Sequence, residues 1–245
     1  MIAIGNFFFK YRNLLFPIII LLVVFIPSPP VFKEEVFGPA YYWIPLVAGI
    51  AIALFGQVVR AVTIGLKYIV RGGKNKEVYA EDLVTEGIFN HCRNPLYVGN
   101  ILMVIGAGLI SNSLIFIIVV VPLFCFIYQA IVLAEENYLR NKFGDQFTAY
   151  CNRVNRWIPN FKGLSHTITS MQFDWKRYVR NEYNTIYLLF LSIFIFMMVF
   201  VPPLFNLDQA SKIRVSIIVV GSLTLIYLLV KYLKKSKRLN TKPHN

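Results

Sequence analysis

The sequence predicts an all-α integral membrane protein with about six transmembrane helices. Hydrophobic residues make up 57% of the 245 residues and charged residues only 15%, whereas about a quarter of an ordinary soluble domain is charged. The apolar residues form long uncharged blocks, and about 20 such residues are enough to cross a bilayer as a helix. The basic residues cluster where these blocks meet the loops, which is typical of the cytoplasmic flanks of membrane helices. This distribution explains the net charge of +13 without nucleic-acid binding.

Two spans are predicted in the N-terminal part, at 14–32 and at 40–66. Prolines at 27, 29 and 30 end the first span, and Lys10 and Arg12 are interpreted as the basic flank before it. No small-residue cleavage site precedes the prolines, so this segment is expected to be retained as a span rather than removed as a signal peptide. Arg60 lies inside the second span.

A tight helical hairpin is predicted at 96–133, because this stretch contains no charged residue and has Ser-Asn-Ser at 111–113 near its middle. The arms are expected at 96–110 and 114–133. Pro95 suits the first turn of the short arm, and Asn94 is a natural N-cap before it. The hairpin should return the acidic pair at 135–136 to the 93–97 turn.

Later segments complete the predicted topology. Apolar residues recur at three- and four-residue steps over 135–156, which predicts a helix that continues the fourth span and bends along the membrane surface. Two further spans are expected at 185–205 and 215–230. With six spans, all heavily basic segments lie on one side, so both termini are expected in the cytoplasm, in a cell inner membrane.

The predicted organisation has four parts along the chain. They are N-terminal transmembrane helices over 1–55, a core with the candidate site over 56–159, a cytoplasmic interfacial linker over 160–183, and two C-terminal transmembrane helices with a basic tail over 184–245.

Two motifs flank the predicted hairpin. LVTEGIF at 83–89 is followed by RNPLYVG at 93–99, and EENYLRNKFGDQF at 135–147 is followed by VNRWIP at 154–159. Together they resemble the signatures of the membrane methyltransferases typified by isoprenylcysteine carboxyl methyltransferase, with phospholipid methyltransferases as relatives. The resemblance covers about 56–159 and departs from the family pattern at Asn94, where the family has a histidine. An asparagine cannot act as a base near neutral pH.

The resemblance implies S-adenosylmethionine as methyl donor on the cytosolic side and a lipophilic or small acceptor with a carboxylate, amine or thiol. It implies neither a metal nor a nucleic-acid partner. The catalytic candidates are Arg93, Asn94 and Glu135. The cofactor-binding candidates are Glu81, Asp82, Leu83, Val84, Phe89, Asn94, Pro95, Leu96, Tyr97, Glu135 and Glu136.

Three polar residues are candidates for substrate binding: Arg60, Gln57 and Gln129. Arg60 either neutralises a carboxylate of the substrate or cofactor or extends to the lipid headgroups, and Gln57 lies on the same helix face. In the isoprenylcysteine enzymes an arginine about four residues before the acidic pair serves the substrate carboxylate. Here that position is Ile131, with Gln129 the nearest polar residue, which argues against a prenylated-cysteine substrate.

Two other functions remain open from the sequence. Sterol reductases share parts of this architecture, so a membrane reductase that uses NADPH is one alternative. A small transporter or a non-catalytic membrane scaffold is the other. A transporter predicts charged residues midway along several spans, whereas Arg60 is the only charged residue inside a predicted span.

Overall fold

The computed structural model describes residues 1–66, 78–201 and 206–239. Within these ranges the chain forms eight α-helices and no strands, with a 3₁₀ turn at Gly87–Asn90 and a π-helical turn at Phe116–Val120 that leads directly into the fifth helix. The helices are α1 (Ile2–Val24), α2 (Glu34–Phe37), α3 (Trp43–Leu66), α4 (Pro95–Ile110), α5 (Val121–Arg153), α6 (Leu164–Ser170), α7 (Trp175–Phe200) and α8 (Gln209–Lys235).

The predicted all-α membrane architecture is confirmed. In the described part of the chain, α1, α3, α7, α8 and the helix running from Phe116 to Arg153 are long and apolar enough to cross a membrane, and α4 is a shorter apolar helix. These six helices correspond to the six predicted spans. The predicted ends at 202–205 and the basic residues at 67–77 and 240–245 lie outside the described residues.

The first span was predicted too far along the chain. Helix α1 begins at Ile2 and ends at Val24, so Lys10 and Arg12 lie inside the helix and not before it. These two cations interrupt the apolar run in the sequence, which explains the error. Aromatic neighbours accommodate both: the Arg12 guanidinium lies 4.0 Å from the centre of the Phe9 ring, and Lys10 lies over Tyr11.

Helix α1 packs along α5, which it contacts more than any other helix. The Phe16 ring lies 5.0 Å from that of Phe124 and 5.5 Å from that of Tyr128. Nearer the start of α1, a Cβ added to Gly5 would overlap the backbone of Ala130. Phe16 therefore contacts an earlier part of α5 than Gly5 does, which makes the two helices antiparallel.

The hairpin has the predicted form. Helix α4 ends at Ile110, and Asn112 adopts a left-handed conformation with φ of 47° in the turn that follows. The Asn112 side-chain oxygen accepts hydrogen bonds from the backbone N–H groups of Val31 at 3.1 Å and Phe32 at 2.8 Å. The turn is thereby fixed to the connection between α1 and α2.

Helix α5 bends at Gly144, whose φ of 51° and ψ of −121° are not helical. This kink lies within the segment where the periodicity predicts a bend. Beyond it, Phe147 and Tyr150 are buried and pack with Val154 against Leu83. The second half of α5 thus supports the connection between α3 and α4.

Helix α7 begins at Trp175, earlier than the predicted span at 185–205. The segment predicted as an interfacial linker, 160–183, therefore contains α6 and the first turns of α7. Asp174 caps α7 by accepting a hydrogen bond from the Arg177 backbone N–H at 2.9 Å. Helix α7 packs against α3, α4 and α8, so its polar first turns lie beside the candidate site.

Candidate active site

A cavity of about 870 Å³ lies where α4 begins and α5 carries the acidic pair. We call it the central cavity. Residues of α1, α3, α4, α5, α7 and α8 line it together with the segment 78–94. Its size falls within the range of about 300–1,000 Å³ that is typical of small-molecule sites.

The cavity lining contains all of the residues predicted to bind the cofactor. They are Glu81, Asp82, Leu83, Val84, Phe89, Asn94, Pro95, Leu96, Tyr97, Glu135 and Glu136. The catalytic candidate Arg93 and the substrate candidate Arg60 also line it. The structure thus places residues from both motifs at one cavity.

The acidic pair returns to the start of α4, as the hairpin predicts. The Tyr97 hydroxyl donates a hydrogen bond of 2.7 Å to Oε1 of Glu135. The Tyr97 ring also packs against that of Tyr128, with 5.4 Å between the ring centres. The predicted proximity of the two hairpin ends is therefore confirmed, and Glu135 is held toward the first turn of α4.

Glu136 forms an ion-pair cluster with two arginines. Its carboxylate accepts from Nη2 of Arg93 at 3.1 Å and from Nη2 of Arg156 at 2.7 Å. Arg93 also donates through Nη1 to the carbonyl oxygens of Cys151 at 2.9 Å and Val154 at 3.0 Å. Because these contacts occupy the Arg93 guanidinium, Arg93 mainly positions the 93–97 turn against the end of α5.

Asn94 occupies the predicted N-cap position of α4. Its side chain, however, makes no capping hydrogen bond to the helix. The side-chain amide instead donates to the carbonyl oxygen of Arg156 at 3.2 Å, because the segment after α5 passes close to the turn. Pro95 takes the first helical position as predicted. Asn94 thus joins the two motifs that the sequence places on either side of the hairpin.

The second half of α5 holds the segment before the 3₁₀ turn. The Lys142 ammonium donates to the carbonyl oxygens of Ala80 and Glu81 and lies over the Tyr79 ring. The Tyr150 hydroxyl donates to the Phe89 carbonyl oxygen at 2.6 Å. These contacts place residues 81–84 along the cavity, although Glu81 and Asp82 themselves are exposed.

Two buried residues that directly follow the 3₁₀ turn, His91 and Cys92, attach it to later parts of the chain. The His91 ring nitrogens lie 2.7 Å from the Asn160 carbonyl oxygen and 2.8 Å from the Thr167 hydroxyl. The Cys92 thiol is directed at the Arg156 and Trp157 carbonyl oxygens. Burial raises the pKa of the Cys92 thiol, so the thiol is neutral and structural at physiological pH.

Arg60 lines the central cavity but is paired within the bundle. Its Nε and Nη2 donate to the two carboxylate oxygens of Glu182 at 2.7 and 2.8 Å. Its Nη1 donates to Oδ1 of Asn100 at 2.6 Å. These contacts occupy the guanidinium, and a role of Arg60 in substrate binding stays a prediction. The ion pair joins α3 to α7, and Glu182 is fully buried.

The other two substrate candidates lie outside the cavity lining. Gln57 donates to the Tyr178 hydroxyl at 3.2 Å and to Glu182 at 3.4 Å. Gln129 accepts a hydrogen bond of 2.8 Å from the Trp157 indole. Both side chains therefore support helix packing in this structure.

Sequence reasoning missed the residues that α1, α7 and α8 contribute to the cavity lining. They are Phe9, Arg12, Asn13 and Phe16 of α1, Asn181 and Thr185 of α7, and Lys234 of α8. The shifted first span hid the α1 group. The signal that was available is the spacing of Phe9, Arg12 and Phe16, which places them on one helix face.

Comparisons with known proteins agree with this geometry. Residues 45–146 match the model of the phospholipid methyltransferase family. The chain is 35% identical over 77 residues to the cobalt-zinc-cadmium resistance protein CzcN of Cupriavidus metallidurans, covering 31% of this chain and 35% of the relative. It is 31% identical over 78 residues to the nickel-cobalt-cadmium resistance protein NccN of Alcaligenes xylosoxydans xylosoxydans, covering 32% and 36%.

The matched region spans about a third of the length of each of these curated relatives. No solved structure shows significant similarity to the chain. The family match covers α3, the 3₁₀ turn, α4 and α5 up to the kink, and residues 45–146, including the connection at 78–94, contribute most of the cavity lining. The resemblance drawn from the two motifs is therefore confirmed: residues 45–146 match the phospholipid methyltransferase family.

Proposed function

We propose that this protein is an S-adenosylmethionine-dependent methyltransferase that acts on a lipophilic or small acceptor at the cytosolic face of the membrane. The observation that carries the proposal is the junction of the two motifs. Glu135, Tyr97 and residues 81–84 line one cavity, and Glu135 is hydrogen-bonded to the turn that begins α4. The family match supports a methyltransferase of the membrane.

The charges of the cavity suit this cofactor. S-adenosylmethionine has a sulfonium and an ammonium group against one carboxylate, so it is a net cation at neutral pH. The cavity lining includes the carboxylates of Glu81, Asp82 and Glu135. In the first turn of α4, Pro95 has no N–H, and the N–H groups of Tyr97 and Val98 donate to the Asn94 carbonyl oxygen. The Leu96 N–H, at the second helical position, is the group of this turn that can bind a carboxylate.

The chain's own residues would position the reactants and exclude water. When bound, the cofactor supplies an electrophilic methyl group, whose bond to sulfur breaks as the bond to the acceptor forms. Tyr97 holds Glu135 in place, and the Glu135 carboxylate would take the proton from an amine or thiol acceptor, whereas a carboxylate acceptor has none to lose. Arg93 and Asn94 would act as positioning residues because each donates to a backbone carbonyl after α5. Alignment in a dry site supplies most of the rate enhancement for such a displacement.

The acceptor class follows from the surroundings of the cavity. Its lining includes Phe9, Phe16 and Tyr128 from membrane-spanning helices, which favours an acceptor that arrives from the lipid. The acceptor atom can belong to a carboxylate, an amine or a thiol. We place the protein in a cell inner membrane with both termini in the cytoplasm, because the basic loops lie on one side.

The curated relatives are named for resistance to metal cations, and we do not extend this to a metal site here. Within the described residues, no group of three or more His, Cys, Asp or Glu side chains is placed to hold a metal ion. What the comparisons contribute is the family match over residues 45–146, which supports a membrane methyltransferase.

Binding and transfer measurements test the proposal. Calorimetry on the full chain purified in detergent should detect binding of S-adenosylmethionine, and labelled donor should transfer methyl to a component of a membrane lipid extract. Glu135→Gln should reduce cofactor affinity or transfer roughly tenfold to a hundredfold, the range for one hydrogen bond to a charged group. Asp145→Asn is the matched control, because Asp145 is an exposed carboxylate of α5 outside the cavity lining.

Three results would contradict the proposal. An absence of binding heat with S-adenosylmethionine would remove its basis. Binding of NADPH in its place would favour the membrane reductase. Solute flux into liposomes without methyl transfer would favour the transporter.

A further inference from the structure

We propose that Arg12 binds an anionic group of the methyl acceptor, which makes the acceptor an amphiphile that carries a phosphate or a carboxylate. This inference rests on the proposed methyltransferase function and adds the residue that selects the acceptor. Arg12 belongs to α1, which lies outside the matched region at 45–146. The resemblance assigns it no role.

The position of Arg12 suits a ligand in the central cavity. Its side chain lines the cavity with Phe9 and Phe16 of the same helix face. The guanidinium lies 4.0 Å from the centre of the Phe9 ring, a stacking contact that fixes its plane and leaves its edge available. Side chains of a helix lean toward its N-terminus, which for α1 is the end that packs on residues 130–134 of α5.

Arg12 differs from the other two arginines of the cavity in its bonding. Arg60 is paired with Glu182 and Arg93 with Glu136. Nη1 of Arg12 is buried, and no hydrogen-bond partner for it lies within the described part of the chain. A buried donor without a partner is costly, because it has lost its water and gained nothing in return. An anionic oxygen of a ligand would satisfy it.

The surroundings of Arg12 indicate what is attached to the anion. The Phe16 ring packs against Phe124 and Tyr128, so the wall beside Arg12 is aromatic and apolar. A bound anion there is best accompanied by an apolar chain. Arg12 and Glu135 line the same cavity, so an acceptor anchored at Arg12 would share the cavity with the carboxylate proposed to act on it.

The positive charge beside this aromatic wall comes from α1 and not from the part of α5 that α1 packs on. Ile131 of α5 is fully buried in the apolar core, whereas Arg12 of α1 lines the cavity.

Matched amphiphiles test the proposal without requiring turnover. The full chain in maltoside micelles is titrated by calorimetry with dodecyl phosphate, dodecanoate and the neutral dodecyl glucoside. Wild type should bind at least one of the anions and not the glucoside. Tighter binding of dodecyl phosphate indicates a phosphate-bearing acceptor, and tighter binding of dodecanoate indicates a carboxylate-bearing one; either supports the proposal. Equal binding of all three would overturn it.

Two variants and one control locate the effect. Arg12→Gln should weaken binding of the anion at least tenfold, and Arg12→Lys should recover part of it because the charge is kept. Lys10→Gln is the matched control, since Lys10 is an exposed cation of the same helix outside the cavity lining. Circular dichroism and size exclusion check the fold of each variant. If Arg12→Gln does not fold, saturation by an added anion in wild type and its reduction in Arg12→Lys decide the question.

Affinity for S-adenosylmethionine in the same samples separates this inference from the proposed function. Wild type that binds the cofactor but neither anion would overturn the role of Arg12 and leave the methyltransferase intact. Wild type that binds the anion through Arg12 but no cofactor would leave the anion site and overturn the methyltransferase. If Arg12→Gln lowers cofactor affinity and not amphiphile affinity, Arg12 binds the cofactor carboxylate and the inference is wrong.

Discussion

At the scale of single residues, the two adjacent acids of α5 have different surroundings. Consecutive helical residues point about 100° apart, so Glu135 and Glu136 face different neighbours. Glu135 accepts from the Tyr97 hydroxyl and lines the cavity. Glu136 is enclosed by Arg93 and Arg156. Both carboxylates line the cavity, but that of Glu136 is paired with two arginines that join the 93–97 turn to the segment after α5.

Replacing Glu136 should therefore lower the stability of the fold more than it lowers the affinity for the cofactor. Glu136→Gln leaves Arg93 and Arg156 without their carboxylate, and we expect a loss of roughly 2–3 kcal/mol in unfolding free energy, at the low end for a buried pair because Arg156 is partly exposed. Thermal unfolding in detergent measures it. Segment 78–94 should also become more sensitive to proteolysis. Unchanged stability would contradict the assigned role, and Asp145→Asn is the control.

The Cys92 thiol provides a prediction about pH. Burial raises its pKa above the usual value of 9.0, so the folded protein keeps the thiol neutral where the unfolded chain begins to ionise it. Below about pH 9 the thiol is neutral in both states and does not lower the free energy of unfolding. As the pH rises from there through the folded pKa, the free energy of unfolding falls. At pH 8, N-ethylmaleimide should leave Cys92 unmodified in the native protein and modify it after denaturation, as measured by mass spectrometry. Rapid native labelling would show that the thiol is accessible.

At the scale of elements, small residues determine how closely α3 and α4 pack. A Cβ added to Gly106 would lie 2.5 Å from the Gly49 carbonyl oxygen, and one added to Gly99 would lie 2.7 Å from that of Gly56. Such close helix contacts are typical of membrane bundles, in which packing replaces the hydrophobic effect. The short arm of the hairpin is therefore fixed by α3, and with it the first turn of α4 that faces the cavity.

Enlarging Gly106 should separate these helices. Gly106→Ala places a methyl group against backbone that cannot move aside, so we expect a destabilisation of about 1–2 kcal/mol after the gain in helix propensity is subtracted. Gly221→Ala in α8 is the control, because a Cβ there has nothing within 4 Å, and it should be neutral or slightly stabilising. Melting temperatures in the same detergent compare the two. Equal effects would show that the α3–α4 contact is looser than described.

At the scale of the whole molecule, the first and last helices contribute to the same cavity. Arg12 of α1 and Lys234 in the last turn of α8 both line it. The described part of the chain has five helices long and apolar enough to cross a membrane, and the shorter apolar helix α4 completes an even number of predicted spans. The basic residues at both ends then favour the cytoplasm. With this orientation, the central cavity is expected at the cytoplasmic end of the bundle.

Fusion reporters test this topology. Green fluorescent protein attached to either terminus should fluoresce, and alkaline phosphatase attached to either terminus should be inactive. The same phosphatase inserted into the exposed connection at 206–208 should be active, since this connection joins α7 to α8 on the opposite side. Phosphatase activity at either terminus would invert or break the predicted orientation.

The sequence predicted best what depends on local pattern. The ends of α4 follow from Pro95 and from the Ser-Asn-Ser turn, and the return of Glu135 to Tyr97 follows from hairpin geometry. It failed where a charge lies inside a helix. Arg12 moved the predicted first span, and Glu182 was placed in a linker, because a charge in an apolar run signals a boundary unless its partner is known. The partner of Glu182 is Arg60 of another helix, which no local pattern reveals.

The buried pair of Arg60 and Glu182 has a consequence for how the chain can be divided. Arg60 belongs to the matched region at 45–146, whereas Glu182 lies beyond it in α7. A shortened chain ending near residue 160 would keep Arg60 inside a membrane helix but would lack the Glu182 carboxylate that pairs with it. Such a chain is therefore expected to be unstable without the two C-terminal helices. Proteins that share the region but lack an equivalent of α7 are expected to carry an uncharged side chain at the position of Arg60.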